Sequence, residues 1–211
     1  MAKAPNGPLG PAYGSVGNFT FYKLNGQAVV RKKSKYVDKP SDAQLLVRSG
    51  MKAVMQFFSK IKPFLKTGFS NESCGTSQSY FNVATAYNRR YAVKVEDEQL
   101  VMDYTLVRVA QGNAAPVENP TTELSSSGLK FSWFVDETLD WRSQNDQVMM
   151  MAYFPEEESA FYEISGARRM AGQDILPIPA SMLDKRMELY MAFVADDRLS
   201  VSDSKYLGRI N

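Results

Sequence analysis

The 211-residue chain reads as an α+β protein, mainly β, and three observations predict it. An Asn25-Gly26 pair sits between two β-prone runs, one apolar stripe of helical period follows, and from Val93 onward the period changes to two. A chain of this length can bury a sizeable core as one large domain or two small ones. Its 44 % apolar and 23 % charged residues are ordinary for a globular protein.

The first seventeen residues are rich in Gly and Pro and have no period, so they read as an extended arm that a neighbour orders. The runs 18–23 and 28–33 flank Leu24-Asn25-Gly26-Gln27 and read as a hairpin, because the favoured two-residue turn needs positive φ at both central positions. Its second strand runs into Arg31-Lys32-Lys33-Ser34-Lys35. After Pro40, Ser41 and Gln44 make a capping box, and Asp42 suits the positive end of the helix dipole. Val47, Met51, Val54, Phe58, Ile61 and Leu65 then recur at steps of four and three, with Arg48, Lys52 and Ser59 on a different face. Pro63 kinks or ends that helix. A second helix is predicted over 77–91, with Tyr80, Ala84, Tyr87 and Tyr91 on one side and Arg89-Arg90 where cations are favoured.

Strands are predicted over 104–110, 129–135, 148–154, 160–164, 186–194 and 199–206, with a turn at 195–198 and a long loop or linker over 111–128. Leu129, Phe131, Trp133 and Val135 alternate with Lys130 and Ser132, and Trp133 is the expected centre of the core. Short strands at this spacing without intervening helices predict an immunoglobulin or fibronectin III-like β-sandwich. The expected division is therefore 1–92 for the arm, basic β-hairpin and helices, and 93–211 for the sandwich domain.

Charge is segregated along the chain. Residues 1–70 hold twelve cations and two anions, a net +10, whereas the rest hold 13 cations and 21 anions, a net −8. Fields of opposite sign select opposite counterparts. The basic part, with Arg31, Lys32, Lys33, Lys35, Arg48 and Lys52 as its candidate interaction surface, interleaves cations with Phe19, Phe21, Tyr22 and Tyr36, a composition suited to phosphate contacts plus base stacking. A lysine-rich edge hairpin also guards itself against edge-to-edge aggregation, and a basic segment can dock on an acidic protein surface.

Several chemistries are excluded at this level. The chain has no histidine, which removes Ser-His-Asp and Cys-His nucleophiles, histidine metal sites and imidazole proton shuttling. The one cysteine, Cys74, cannot form an internal disulfide and is expected to be buried or half-buried. Serine with lysine three residues on, the nucleophile pattern that needs no histidine, occurs at Ser49, Ser59, Ser127 and Ser202, and four matches in a lysine-rich chain mark it as noise. Glu156-Glu157-Glu158 and Asp196-Asp197 read as solvated turn residues, since calcium loops need alternating oxygen ligands. Met149-Met150-Met151 reads as a strand buried on both sides rather than as an adaptable surface. No apolar stretch serves as a secretory signal or a membrane span, so a soluble chain with no cofactor is expected.

Several stretches together carry a resemblance: Ala4-Pro5-Asn6-Gly7, Gly26-Gln27 with Val29-Val30-Arg31, Pro40-Ser41 with Gln44 and Arg48, Gly68-Phe69, Asn82 with Ala84 and Tyr87-Asn88, Gly166-Ala167-Arg168, and Ser202-Asp203-Ser204 with Tyr206. In this ordered set the chain resembles a family of proteins of about 210 residues from Bacteroidota, catalogued as a domain of unknown function, a length that suits one or two domains. Ser41 stands where threonine is expected. The resemblance implies a helical and hairpin N-terminal part followed by a β-sandwich, and no catalytic residue. The start of the long helix also resembles segments of prophage-encoded structural proteins. The expected function is a non-enzymatic structural or interaction protein, a subunit of a virion, prophage-derived or surface assembly. Its expected partners are other protein subunits in a homo-oligomer or larger assembly, with nucleic acid as the alternative.

Overall fold

The computed structural model describes residues 3–4, 10–24, 26–34, 39–96, 99–125 and 127–211. Contacts divide the chain into two units, Met1–Ser41 and Asp42–Asn211. In the first, β1 (Gly14–Val16), β2 (Phe19–Leu24) and β3 (Gln27–Lys32) form an antiparallel sheet in that order. β1 lies inside the expected arm, and backbone hydrogen bonds between Lys3 and Tyr13 extend its pairing. Asn25 of the expected turn lies outside the described residues, while Gly26 takes φ +87°, a conformation open to glycine.

The second unit begins with α1 (Asp42–Lys60), α2 (Lys62–Gly68), α3 (Ser70–Ser73) and α4 (Tyr80–Tyr91). Pro63 stands in the first turn of α2, where its missing N–H costs nothing. The expected second helix starts at Tyr80, because the Ser79 hydroxyl accepts from the Asn82 N–H and caps it there. Val54, Phe57 and Phe58 of α1 are buried, but Val47 is 45 % exposed. The first half of α1 packs instead on a hairpin of β4 (Val93–Glu96) and β5 (Gln99–Met102). Gly50 allows that approach, since a Cβ there would come within 2.9 Å of Leu100 Cδ1. Ser49 Oγ accepts from the Leu100 N–H at 3.1 Å.

The remaining elements are β6 (Thr121–Ser125), β7 (Gly128–Ser132), α5 (Trp141–Gln144), β8 (Gln147–Phe154), β9 (Ser159–Glu163), β10 (Gln173–Leu176), β11 (Met187–Val194) and β12 (Lys205–Ile210). They form a four-stranded sheet, β12-β11-β8-β9, and a three-stranded one, β10-β7-β6, both antiparallel. The fold is thus mixed, with more strand than helix. Met149, Met151, Tyr153, Tyr190 and Ala192 join a core with Val54, Phe57, Phe58, Phe64 and Leu65 of the helices. From the other face of the same strands, Val148, Met150, Phe154, Leu189 and Phe193 meet Leu129, Phe131 and Leu176 of the second sheet and Trp133, the residue after β7. The methionine run is therefore buried on both sides, and Trp133 packs its ring 5.5 Å from that of Phe193. Because the helices cover one face of this sheet, they share a contact unit with the later strands. β6 lies within the expected 111–128 loop, and β10 has only four residues, too few to show a period.

The expected strand over 104–110 is a 3-10 turn, Tyr104–Leu106, followed by irregular chain. Side chains take its backbone groups. Buried Asn88 donates from Nδ2 to the Ala84 and Arg108 carbonyls at 3.0 and 2.8 Å and accepts the Arg108 N–H on Oδ1 at 2.9 Å. The Ser204 hydroxyl accepts from Val109 N–H, and Asp203 accepts from Gly112 N–H. Gly68 offers its carbonyl to Gln111 N–H, and a Cβ on it would lie 2.9 Å from Ala110 Cα. Arg108 reaches Asp203 at 3.3 Å with its guanidinium 4.5 Å above the Tyr87 ring. The expected strand over 199–206 is interrupted for the same reason: Val201 bridges to Val194, residues 202–204 turn to hold 108–112, and pairing resumes at Lys205. Gly68, Tyr87, Asn88 and Ser202-Asp203-Ser204, which carry part of the family resemblance, thus surround one clamped segment.

Asn88→Ala would leave both backbone groups of Arg108 without their side-chain partner. An unmade buried hydrogen bond costs about 1–3 kcal/mol. Urea unfolding is expected to show a loss of that order, and an unchanged midpoint and slope would remove Asn88 from the clamp.

Candidate functional site

The basic residues singled out by the sequence fall in both units. Arg31, Lys32 and Lys33 are exposed in and after β3, Lys35 lies outside the described residues, and Arg48 and Lys52 are exposed on α1 of the second unit. Cross-strand partners share a face of a sheet. Phe19 pairs with Lys32 and Val16, Phe21 with Val30, and Lys23 with Ala28, so one face carries Val16, Phe19, Phe21 and Val30 between two lysines. Arg31 pairs with Thr20 and belongs to the opposite face, with Tyr22 and Val29. No described residue of this unit is buried. By sequence the unit holds seven cations and one anion, a net +6, against 18 cations and 22 anions, a net −4, in the other.

The candidate nucleophiles are occupied by the fold. Ser49 donates to Leu46 O, Ser59 to Gln56 O, and Ser202 accepts from Phe193 N–H while donating to Asp203 O; Ser127 lies 3.3 Å from Ser125. Cys74, expected to be at least half-buried, is exposed at the C-cap of α3, a helix that has no buried residue. Among the described residues, no group of His, Cys, Asp and Glu is placed to hold a metal ion, and no helix is long and apolar enough to cross a membrane. Glu157 reaches Lys185 at 3.3 Å, and Glu158 accepts from Gln56 Nε2.

Two hollows remain. An open cleft of about 560 Å³ is lined by Asn113, Asp140, Trp141, Arg142, Asp196 and Asp197, among others. Asp140 caps α5 through the Ser143 N–H, and hydrogen bonds from the Ser143 side chain and then its N–H hold the Asp140 carboxyl below the usual range; Trp141 beside it is 77 % exposed. Beneath lies Asp146, also in the lining, paired with Arg169 at 3.1 Å. Arg169 further donates to the Ala115, Pro116 and Ser143 carbonyls and lies 3.7 Å over the Phe193 ring, tying together the loops that shape the cleft. Burial pushes Asp146 up and Arg169 down, and their contact opposes both shifts. Arg169 and Trp141 escaped the sequence reading: the partner of Arg169 is 23 residues away, and one tryptophan in a polar stretch has no period.

The second hollow, of about 500 Å³, includes Lys94, Tyr104, Arg186, Glu188, Tyr206 and Arg209 in its lining. Glu188 is fully buried and accepts from Arg186 at 3.1 Å, Arg209 at 2.9 Å and the Tyr206 hydroxyl. Tyr190 donates to the Tyr104 carbonyl. Burial, reinforced by the Glu188 charge, pushes the Tyr206 phenol up to about 12. Burial likewise raises Tyr104, Tyr153 and Tyr190.

Residues 11–208 match the model of a family of unknown function, DUF6266, and the chain belongs to that family. Among curated proteins and among solved structures, nothing matches it. The Glu188 hollow is open to titration. A phenol whose folded pKa lies above its ordinary value of 10 adds stability that is complete below pH 10 and is lost as pH rises through about 12. The stability advantage of the native chain over Tyr206→Phe is therefore expected to be flat up to pH 10 and to shrink between pH 10 and 12. Thermal unfolding of both proteins across that range checks it, and an advantage that grows with pH contradicts it.

Proposed function

We propose that this DUF6266 member is a non-enzymatic structural or interaction protein, a subunit of a virion, prophage-derived or surface assembly, that contacts neighbouring subunits through its basic N-terminal arm and hairpin. One observation carries the reading: a three-stranded sheet in a unit of 41 residues with no described residue buried. A sheet this small needs an apolar face packed against something to be stable. Val16, Phe19 and Val30, each about half exposed, supply such a face. In this reading residues 93–211 are the displayed module. Seven antiparallel strands divided four and three, with Trp133 between the sheets, support an immunoglobulin or fibronectin III-like assignment for it.

A second reading, nucleic-acid binding, is favoured by Phe19 and Phe21 sharing a sheet face with Lys23 and Lys32, a stacking platform flanked by cations. It requires binding that weakens steeply with salt as counterions are released. Absence of any anisotropy change with labelled single-stranded DNA or RNA at low salt would exclude it.

For the first reading, sedimentation of the full chain is expected to show self-association at low salt that weakens as salt rises. Removal of residues 1–41 is expected to leave a folded monomer, because both core clusters lie in the second unit. A full-length chain that is a strict monomer at high concentration and low salt, with no co-purifying subunit, overturns the proposal.

A further inference from the structure

We infer that the apolar face of the β1-β2-β3 sheet seats in the Trp141 cleft of a second copy of this chain, head to tail. This rests on the reading of the N-terminal unit as a contact module and names the surface it meets. Trp141 and Leu199, 77 % and 72 % exposed, are the most exposed of the large hydrophobic side chains described. They lie 58 residues apart in sequence, yet both stand at one cleft: Trp141, at the start of α5, lines it, and Leu199 sits between Asp197 and Ser200, which also line it. Around them stand Asp140, Asp196 and Asp197, with one cation, Arg142, also in the lining.

The sheet face has the complementary composition. Val16, Phe19 and Val30, 56 %, 49 % and 57 % exposed, lie between Lys23 and Lys32. Apolar centres that exclude water, ringed by charges of opposite sign, are what a specific contact requires. Two copies of the sheet face packed on each other would set lysines against lysines in units that each carry +6, so self-pairing is disfavoured. The residues named on both surfaces are exposed, and a contact of one kind of surface with another leaves the pair with one of each still to fill. Such heterologous contacts propagate into rings or filaments.

The test is a reciprocal charge exchange in the full-length protein. Lys23→Glu with Lys32→Glu, and separately Asp196→Lys with Asp197→Lys, are each expected to weaken self-association by about tenfold or more, since like charges then face each other. An equimolar mixture of the two variants is expected to assemble again, because every contact between unlike copies pairs opposite charges. Acrylamide quenching gives a second readout. Trp133 is 6 % exposed and Trp141 is 77 % exposed, so the quenchable fraction is expected to fall on assembly. Variants that assemble as the native chain does, or a mixture of folded variants that stays monomeric, overturn the inference. Protection of Trp141 in a protein that stays monomeric places the contact within one chain and also overturns it. If removal of residues 1–41 abolishes assembly while the charge variants and the quenching stay unchanged, the contact-module reading stands and the Trp141 cleft is the wrong partner. If assembly survives that removal, the contact-module reading fails as well.

Discussion

Strands β8 and β11 have almost no wet face, and that double burial sets the plan of the larger unit. A sheet strand normally alternates between core and solvent, but here successive residues enter two different cores. Each core then demands its own cover. The helices supply one, through Phe57, Phe58 and Phe64, and the three-stranded sheet with the residue after β7 supplies the other, through Leu129, Phe131 and Trp133. Methionine suits the shared strand because its flexible side chain fills irregular gaps on either side.

Layers held only by apolar contact could slide, and three polar junctions fasten them. Asn88 and Ser202 to Ser204 grip the 108–112 segment, so a helix, an irregular strap and the end of the central sheet move as one piece. Arg169, with Asp146 and three backbone carbonyls, ties the loops at the opposite core to Trp133, whose indole N–H donates to the Arg169 carbonyl. Glu188 collects two guanidiniums and a phenol. In each case the buried group is satisfied by several partners, and loss of one partner leaves a desolvated group behind, which makes the arrangement specific as well as stable.

The small N-terminal unit follows a different logic. It contains hydrogen-bonded strands with none of its described residues buried, and Val16, Phe19 and Val30 are about half exposed on a face that also carries lysines. The +10 and −8 read along the chain become +6 and −4 when counted by unit, because α1 and α2 carry their cations on the outer face of the acidic unit. Charge segregation therefore attaches to the unit of residues 1–41, and the candidate set from Arg31 to Lys52 draws on both units.

Local patterns settled whatever depended on neighbours a few residues apart. The stripe from Met51 to Leu65, the break at Pro63, the hairpin around Gly26 and the alternating core of residues 129–133 were all legible, because helix and strand periods are written in adjacent positions. So was the two-sided burial of Met149 to Met151. The irregular course of residues 107–114 was not, since Val107 and Val109 look like strand residues and what denies them a strand is Asn88 and Ser204, brought in from distant parts of the chain. The cleft beside Trp141 was equally invisible, because its walls come from three separate segments of the chain. Composition and period determined the classes of chemistry the chain lacks and the kind of elements it forms. Only the tertiary structure decided which polar side chains take backbone partners and which surfaces are left exposed, because those outcomes depend on long-range contacts that no local period encodes.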